Sequence, residues 1–365
     1  MKLTVPTNWQ ADLLKKISKP EVDTVYGKLK SDFIGGLRLA CYVADVSEGD
    51  AASHIRKIHK IGMKFEYLLN ATCMGENAWG RAAGKRLHKL LAWLAGVKVD
   101  GIVVAIPQLA SIIRKYYPNF TISVSSGANV NSVEKARFWE DLGALTITLP
   151  QVEVNRNLDL LKKIKENVRC ELQLIVNSGC LQDCPFFFAH NNFTSHGSKS
   201  NDPLCGVRVD YYRLWCKDKI ISDPANFIRV AWIRPEDLAI YEGIGIHRFK
   251  IVDRMMRSDV LALITNAYAK RSYKGNLYDL LMDPSKGLAL ANNGKLKQAL
   301  QVYINNTRLE GFLEHFPKGD CRNRSCAKCG YCARLAKKAV RIDPQYSKEI
   351  AKKRALSITY WANLC

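Results

Sequence analysis

Eight of the twelve cysteines fall into two sets of four: Cys180, Cys184, Cys205 and Cys216, then Cys321, Cys326, Cys329 and Cys332. A thiolate is a soft, anionic donor, and four of them complete the shell of either a zinc ion or an iron-sulfur cluster. The first set is spaced Cys-x3-Cys-x20-Cys-x10-Cys. It lacks the Cys-x2-Cys knuckles of structural zinc sites, which favours an iron-sulfur cluster. His190 and His196 lie between these cysteines. With four thiolates already present they read as loop or substrate contacts, a histidine replacing one cysteine being the alternative ligand set. The second set, Cys-x4-Cys-x2-Cys-x2-Cys, spans twelve residues. Cys326, Cys329 and Cys332 have the tight spacing that wraps a cubane cluster, with a fourth ligand from Cys321 or from Cys365, and zinc stapling the tail is the competing reading. Cys41, Cys73 and Cys170 read as small core thiols.

The metal reading depends on compartment. Residues 1–10 lack the charged start and apolar run of a signal peptide, and no stretch reaches the roughly 18 apolar residues of a membrane span. A soluble, cytoplasmic protein is expected, in which clustered cysteines serve as metal ligands more often than as disulfides. The net charge is +21, and residues 295–365 carry fifteen Lys or Arg against five acids. Between Cys321 and Arg341 there are seven basic residues and no acid. Such a patch suits RNA, an acidic partner or an anionic small molecule, and it also offsets the negative charge of a four-thiolate centre; an electron-donor protein is a further expected partner.

These side chains must be held by a fold. Apolar, strand-like runs occur at residues 3–6, 22–26, 65–70, 102–106, 121–125, 145–149, 172–177, 228–233 and 248–252. Amphipathic stretches of helical length separate most of them, at 8–18, 51–62, 80–94, 109–117, 132–142, 155–167 and 235–242. Regular alternation of strand and helix predicts a parallel sheet, and eight units close it into a TIM-like (β/α)8 barrel. One of the nine runs must then lie outside the ring, and 228–233 is the expected one, because it follows a break at 179–226 with no clear period. A helix is expected at 257–270. Residues 1–280 form the predicted barrel, with a cysteine loop at about 178–220, and 281–365 form a basic, mainly helical extension, with helices near 295–305 and 347–355.

In such a barrel the chemistry gathers at the C-terminal ends of the strands. Those ends supply Asn8, Tyr26, Lys28, Asn70, Thr72, Cys73, Ser125, Ser126, Asn177, Ser178, Lys250 and Arg254. Together they predict a polar, cationic mouth for a small anionic ligand, held by Asn70, Lys250 and Arg254. Cys180 follows Asn177 at the same end. Dinucleotide and P-loop fingerprints, zinc-protease helices and serine nucleophile elbows are all absent.

Three stretches resemble peptidase family U32, the collagenase-like peptidases. They are the block Phe249 to Ser258, which reads Phe-Lys-Ile-Val-Asp-Arg-Met-Met-Arg-Ser; Val176 to Cys184, a strand followed by paired cysteines; and Cys205 and Cys216 ahead of Arg234-Pro235-Glu236-Asp237-Leu238. The likeness covers roughly residues 1–280 and leaves the basic tail unmatched. It implies a barrel with a 4Fe-4S cluster on Cys180, Cys184, Cys205 and Cys216. It further implies oxygen-independent hydroxylation of tRNA, ribosomal RNA or a ubiquinone precursor, with prephenate as the oxygen source. The first cysteine pair is closer together than in the family's usual motif, and Val252-Asp253 stands where the family has Glu-Gly, which bears on substrate more than on the cluster. The expected function is therefore an iron-sulfur hydroxylase or related redox enzyme acting on RNA or on a small aromatic or isoprenoid molecule, with the second set holding a further cluster or zinc. The alternatives are a peptidase and a non-catalytic RNA-binding or iron-sulfur scaffold protein.

Overall fold

The computed structural model describes residues 1–30, 32–75, 80–199, 210–282, 302–316, 321 and 325–362. Eight parallel strands close a ring in chain order: β1 (Lys2–Pro6), β2 (Val22–Gly27), β3 (Lys64–Leu69), β4 (Gly101–Val104), β5 (Thr121–Val124), β6 (Ala144–Thr148), β7 (Glu171–Ile175) and β8 (Arg248–Lys250). β1 pairs with both β2 and β8, so the ring keeps no open edge. Helices α1 (Leu13–Ile17), α2 (Glu48–Lys60), α3 (Arg81–Gly96), α4 (Pro107–Tyr116), α5 (Val133–Asp141), α6 (Gln151–Val154) and α7 (Leu158–Glu166) stand between successive strands. Local chemistry starts several of them. Ser47, Ser132 and Asn157 accept first-turn N–H bonds at α2, α5 and α7, and Pro107 opens α4. The predicted TIM-like barrel is the fold.

The segment between β7 and β8 departs from the sequence expectation. The stretch 179–226, which shows no period, contains α8 (Phe187–Gly197) and α9 (Tyr211–Ser222). α8 buries Thr194, Ser195 and Gly197 while Phe188 stays exposed, so its buried face is polar and leaves no apolar signal. The run 228–233 is outside the ring as expected, but it is not a strand. Its start belongs to α10 (Ala225–Arg229), and its end is extended chain that bridges Leu181 to Val230 and donates from Ile233 N to Val176 O at 2.8 Å. Then come α11 (Leu238–Gly243) and, after β8, α12 (Ser258–Ala269).

The expected helix at 295–305 is also corrected. Residues 295–301 lie outside the described residues, and Val302–Ile304 is strand β9, antiparallel to β10 (Val340–Ile342). β-branched Val302 and Ile304 alternate inward, a two-residue period that suits a strand. The tail continues as α13 (Cys326–Cys329), α14 (Tyr331–Ala339) and α15 (Pro344–Ala362), the last containing the helix expected near 347–355. It is stitched to the barrel by polar bonds. Asn276 pairs with the backbone of Val302 and Ile304, and Arg234 Nε donates to Asn306 Oδ1 at 3.0 Å.

Alternation along each strand splits the ring into two environments. Leu3, Val5, Val25, Phe65, Ile102, Val124, Leu174 and Phe249 join the apolar layer between strands and helices. The lumen is polar: Gln173 Nε2 donates to Thr4 Oγ1 at 2.7 Å, Thr148 Oγ1 to Gln173 Oε1 at 2.9 Å, and Ser123 Oγ to Glu66. β8 puts two cations into it. Arg248, at the N-terminal end of the strands, lies 2.8 Å from both Asp23 and Glu171. Lys250, one step nearer the mouth, has no carboxylate within ion-pair distance among the described residues, and its Nζ sits 4.2 Å from the centre of the Tyr26 ring.

Two outcomes follow from this arrangement. Phe249 is fully buried in the outer layer, so Phe249→Ala should lower stability in urea unfolding by about 3–5 kcal/mol. Burial pushes Lys250 down from 10.5 to about 8. Below pH 8 both folded and unfolded chains carry the proton and the burial penalty is fully present. Between 8 and 10.5 the folded chain releases its proton first, so this penalty fades as pH rises. Lys250→Met should therefore be the more stable chain at pH 7, by on the order of 3 kcal/mol. Paired unfolding curves at pH 7 and pH 10 check this, because the advantage should shrink at the higher pH.

Candidate functional site

At the C-terminal ends of the strands lies a cavity of about 160 Å³. It is lined by Tyr26 of β2, Asn70 after β3, Ser125 and Ser126 after β5, Thr148 of β6, Ser178 and Cys180 after β7, and Lys250 and Arg254 from the β8 end. The three residues expected to grip an anion, Asn70, Lys250 and Arg254, are thus brought together. Arg254 is buried, yet it makes no hydrogen bond or ion pair among the described residues. Asn70 Nδ2 donates to Ser125 Oγ at 3.2 Å, while its Oδ1 is buried without a partner. Two cations without carboxylate partners among the described residues and one unbonded acceptor thus share a single cavity, a lining suited to an anionic ligand.

Other strand-end residues do structural work. Asn8 Nδ2 bonds Met256 O and Ser258 Oγ at 3.1 and 3.2 Å. Lys28 is buried against Asp32, which also accepts from Tyr67 OH at 2.9 Å. Asn177 clamps the ends of β7 and β8, its Oδ1 accepting from Val252 N at 2.8 Å and its Nδ2 donating to Val252 O. Thr72 N donates to Ser195 Oγ at 3.0 Å and ties the loop after β3 to α8. Cys170 is buried and its thiol is pushed up to about 12 by desolvation, the behaviour of an inert core residue. Cys41 and Cys73 are only partly buried, so they are not core thiols in the same sense.

The loops over the mouth lock to one another. Gly35 adopts φ +85°, and a Cβ there would lie 2.5 Å from Ser198 Oγ, so the close approach that lets Ser198 Oγ accept from Gly36 N at 2.7 Å needs glycine. The loop after β2 thereby reaches α8 and brings in Arg38, which donates from Nε to Asp253 Oδ2 at 2.6 Å and from Nη2 toward Met282 Sδ at 3.1 Å. Arg38 and Gln151 also line the cavity, and Gln151 Oε1 is a second buried acceptor without a partner. Neither was expected from the sequence. Gln151 follows directly on β6 and its Leu149-Pro150 end, so strand-end position could have found it. Arg38 sits eleven residues beyond β2, and only loop packing brings it back.

Of the first cysteine set, Cys205 lies outside the described residues. Cys180, Cys184 and Cys216 ring a second, more apolar cavity of about 180 Å³, which shares Cys180, Cys184, Arg38 and His190 with the first. The Cys180 backbone is fixed on both sides, its N–H donating to Ser178 Oγ at 3.1 Å and its carbonyl accepting from Ala231 N at 2.9 Å. Cys184 and Cys216 are free thiols close to each other; a shared thiol hydrogen bond, with the Phe186 N–H, lowers the Cys184 pKa, and the same interaction with burial raises that of Cys216. Among the described residues no three His, Cys, Asp or Glu side chains are gathered tightly enough to ligate a single metal ion. Cys180, Cys184 and Cys216 nevertheless face one roomy cavity, so the chemistry of the donors, soft thiolates around a shared space, suits an iron-sulfur centre. His190 lines both cavities, stacks on Tyr212 at 5.4 Å and faces Asp210 at 3.9 Å. His196 is exposed to solvent, away from the sulfurs.

The second set stands apart. Cys321, Cys326, Cys329 and Cys332 rim a small cavity of about 20 Å³ with Arg229, His315, Phe316 and Tyr331. Cys365 lies outside the described residues. No helix among the described residues is long and apolar enough to cross a membrane.

With the site in view, comparison with known proteins is informative. Residues 9–318 match Peptidase family U32, reaching past residue 280 into the tail. An uncharacterized protease of Methanocaldococcus jannaschii is 30% identical over 328 residues, covering 90% of this chain and 91% of that protein. A tRNA hydroxylation protein of Bacillus subtilis is 24% identical over 256 residues, covering 65% of this chain and 57% of its own length. A solved U32 peptidase structure superimposes with a TM-score of 0.52 at 23% identity, over 68% of this chain and 92% of that one, a likeness of fold. The chain belongs to peptidase family U32.

Proposed function

We propose that this protein is an iron-sulfur-dependent, oxygen-independent hydroxylase or a closely related redox enzyme acting on RNA. The observation that carries the reading is the shared wall between the two mouth cavities, where Cys180 and Cys184 face the same space as the unpaired cations Lys250 and Arg254. Cys180, Cys184, Cys205 and Cys216 would hold the 4Fe-4S cluster, which when bound supplies one-electron redox chemistry. The protein's own groups do the rest. Lys250 and Arg254 attract an anionic co-substrate such as prephenate into a buried site, where charge attraction is weakly screened. Asn70 Oδ1 and Gln151 Oε1 accept from its hydroxyls or from a base N–H, relieving two buried, unbonded acceptors. Arg38, fixed by Asp253, keeps its charge beside Cys180. The net charge of +21 suits a phosphate backbone, and a relative carries tRNA hydroxylation in its name.

A second reading has an observation of its own. Cys184 and His190 line the same two cavities, and a cysteine beside a histidine is the pairing by which a cysteine nucleophile is poised. A cysteine peptidase built on that pair would cleave peptides without iron and lose activity in both Cys184→Ser and His190→Ala.

Iron and acid-labile sulfide analysis with electron paramagnetic resonance of anaerobically purified protein separates the two. The hydroxylase reading expects one cluster per chain, lost in Cys184→Ser, while a chain without iron at the mouth overturns it. Mass spectrometry of RNA nucleosides from cells with and without the gene should reveal a product heavier by one oxygen atom. Lys250→Met should abolish that product while leaving the iron content unchanged. In a salt series, RNA affinity should fall steeply with ionic strength, and removing residues 295–365 should weaken it if the tail holds the phosphates.

A further inference from the structure

Nothing in the barrel mouth uses the second cysteine set. Cys326 and Cys329 occupy α13 as a Cys-x2-Cys knuckle, and Gly330 follows in the left-handed conformation at φ +63°. That turn starts α14 in a new direction and brings Cys332, on its first turn, to the same small cavity as Cys326, Cys329 and Cys321. His315 stacks on Tyr331 at 3.8 Å, with its Nε2 3.6 Å from Cys329 Sγ.

Size separates this site from the mouth. Its cavity is about 20 Å³, against about 180 Å³ beside Cys180, Cys184 and Cys216. The tail cysteines thus face the tighter of the two spaces. All four cysteines line it, no three of them gathered at ligating distance, and Cys326 and Cys329 have the Cys-x2-Cys spacing of structural zinc sites.

The surroundings carry the complementary charge. Arg156 is buried behind the site, its guanidinium 4.8 Å from the ring centres of Trp232 and Phe312 and 5.7 Å from that of Phe316, which itself lines the cysteine cavity. It donates to the carbonyls of Ile228 and Val230, its Nε has no partner, and no carboxylate pairs with it among the described residues. Arg229 lines the same cavity. Lys328, Arg334, Lys337 and Lys338 follow in sequence with no acid between them. A buried guanidinium without a counter-ion is costly unless an anionic centre sits nearby. Four thiolates around a divalent cation are such a centre, with a net negative charge.

We propose that Cys321, Cys326, Cys329 and Cys332 form a second, independent metal site that binds a single tetrahedral zinc ion and fastens the tail to the barrel at α10. The fastening role follows from the members of the site. Arg229 belongs to α10, Phe316 and His315 to the segment after β9, Cys326, Cys329 and Cys332 to α13 and α14, and Cys321 to the chain ahead of α13.

The test uses the full chain with the mouth emptied by Cys180→Ser, Cys184→Ser and Cys216→Ser. This chain should retain about one zinc per molecule, and adding Cys326→Ser and Cys329→Ser should remove it. Cobalt(II) exchanged into the mouth-emptied chain should give thiolate-to-metal charge-transfer bands and the intense visible bands of a tetrahedral centre. This arm needs no substitution in the tail, so a tail variant that fails to fold leaves the question answerable. Loss of the zinc should also lower the melting temperature and expose 302–342 to protease before the barrel. The proposal is overturned by a mouth-emptied chain that binds no zinc or cobalt, by iron and sulfide in the tail site, or by zinc that survives the tail substitutions. Iron lost with the mouth cysteines while tail zinc persists would leave this site standing whatever becomes of the hydroxylase reading.

Discussion

Closure of the ring between β1 and β8 is the constraint on which the rest depends. It joins the beginning of the chain to residue 250, setting Thr4 opposite Lys250 and Lys2 opposite Arg248. Once the ring is closed, every strand alternates between an apolar outer layer and a narrow polar lumen, and a charge on the inner face is largely desolvated unless it reaches one end of the barrel. Arg248 pairs with the partly exposed Asp23 and Glu171 at the N-terminal end of the strands. Lys250 does not. The fold thus holds a desolvated cation, without a carboxylate partner among the described residues, in the wall of the mouth cavity, a local cost of the kind that marks functional sites.

The mouth is finished by segments outside the regular βα repeat. Asn177 binds the ends of β7 and β8 together, the extended chain after α10 lies along the cysteine loop, and Gly36 docks on Ser198 across it. These contacts place Cys180 and Cys184 against the same space as Lys250 and Arg254. The loops over the strands therefore serve as the walls of the site, while the barrel below supplies its floor and its charge.

Much of this was readable in the residues. The βα alternation predicts the closed ring, and strand-end position singles out Asn70, Lys250 and Arg254, which do converge. Position was a weaker guide to role, since Asn8, Lys28 and Asn177 stand at strand ends yet serve as clamps. The stretch 228–233 reads as a strand because β-branched and aromatic residues are buried there, but burial against Leu181 and Phe312 comes from tertiary packing. α8 escaped notice because the face it buries is polar.

The sequence by itself determined the repeating architecture and the number and spacing of thiols, since both depend on local period and residue type. Tertiary structure decided which of those groups share a space. Arg38, Gln151 and Arg156 acquire their roles only when loops distant in sequence pack together, because desolvation and unpaired charge are properties of a folded environment. The same division separates the two cysteine sets. Their spacing made them a pair of metal candidates, and the unequal volume around them, with a buried cation behind the tail set, made them different sites.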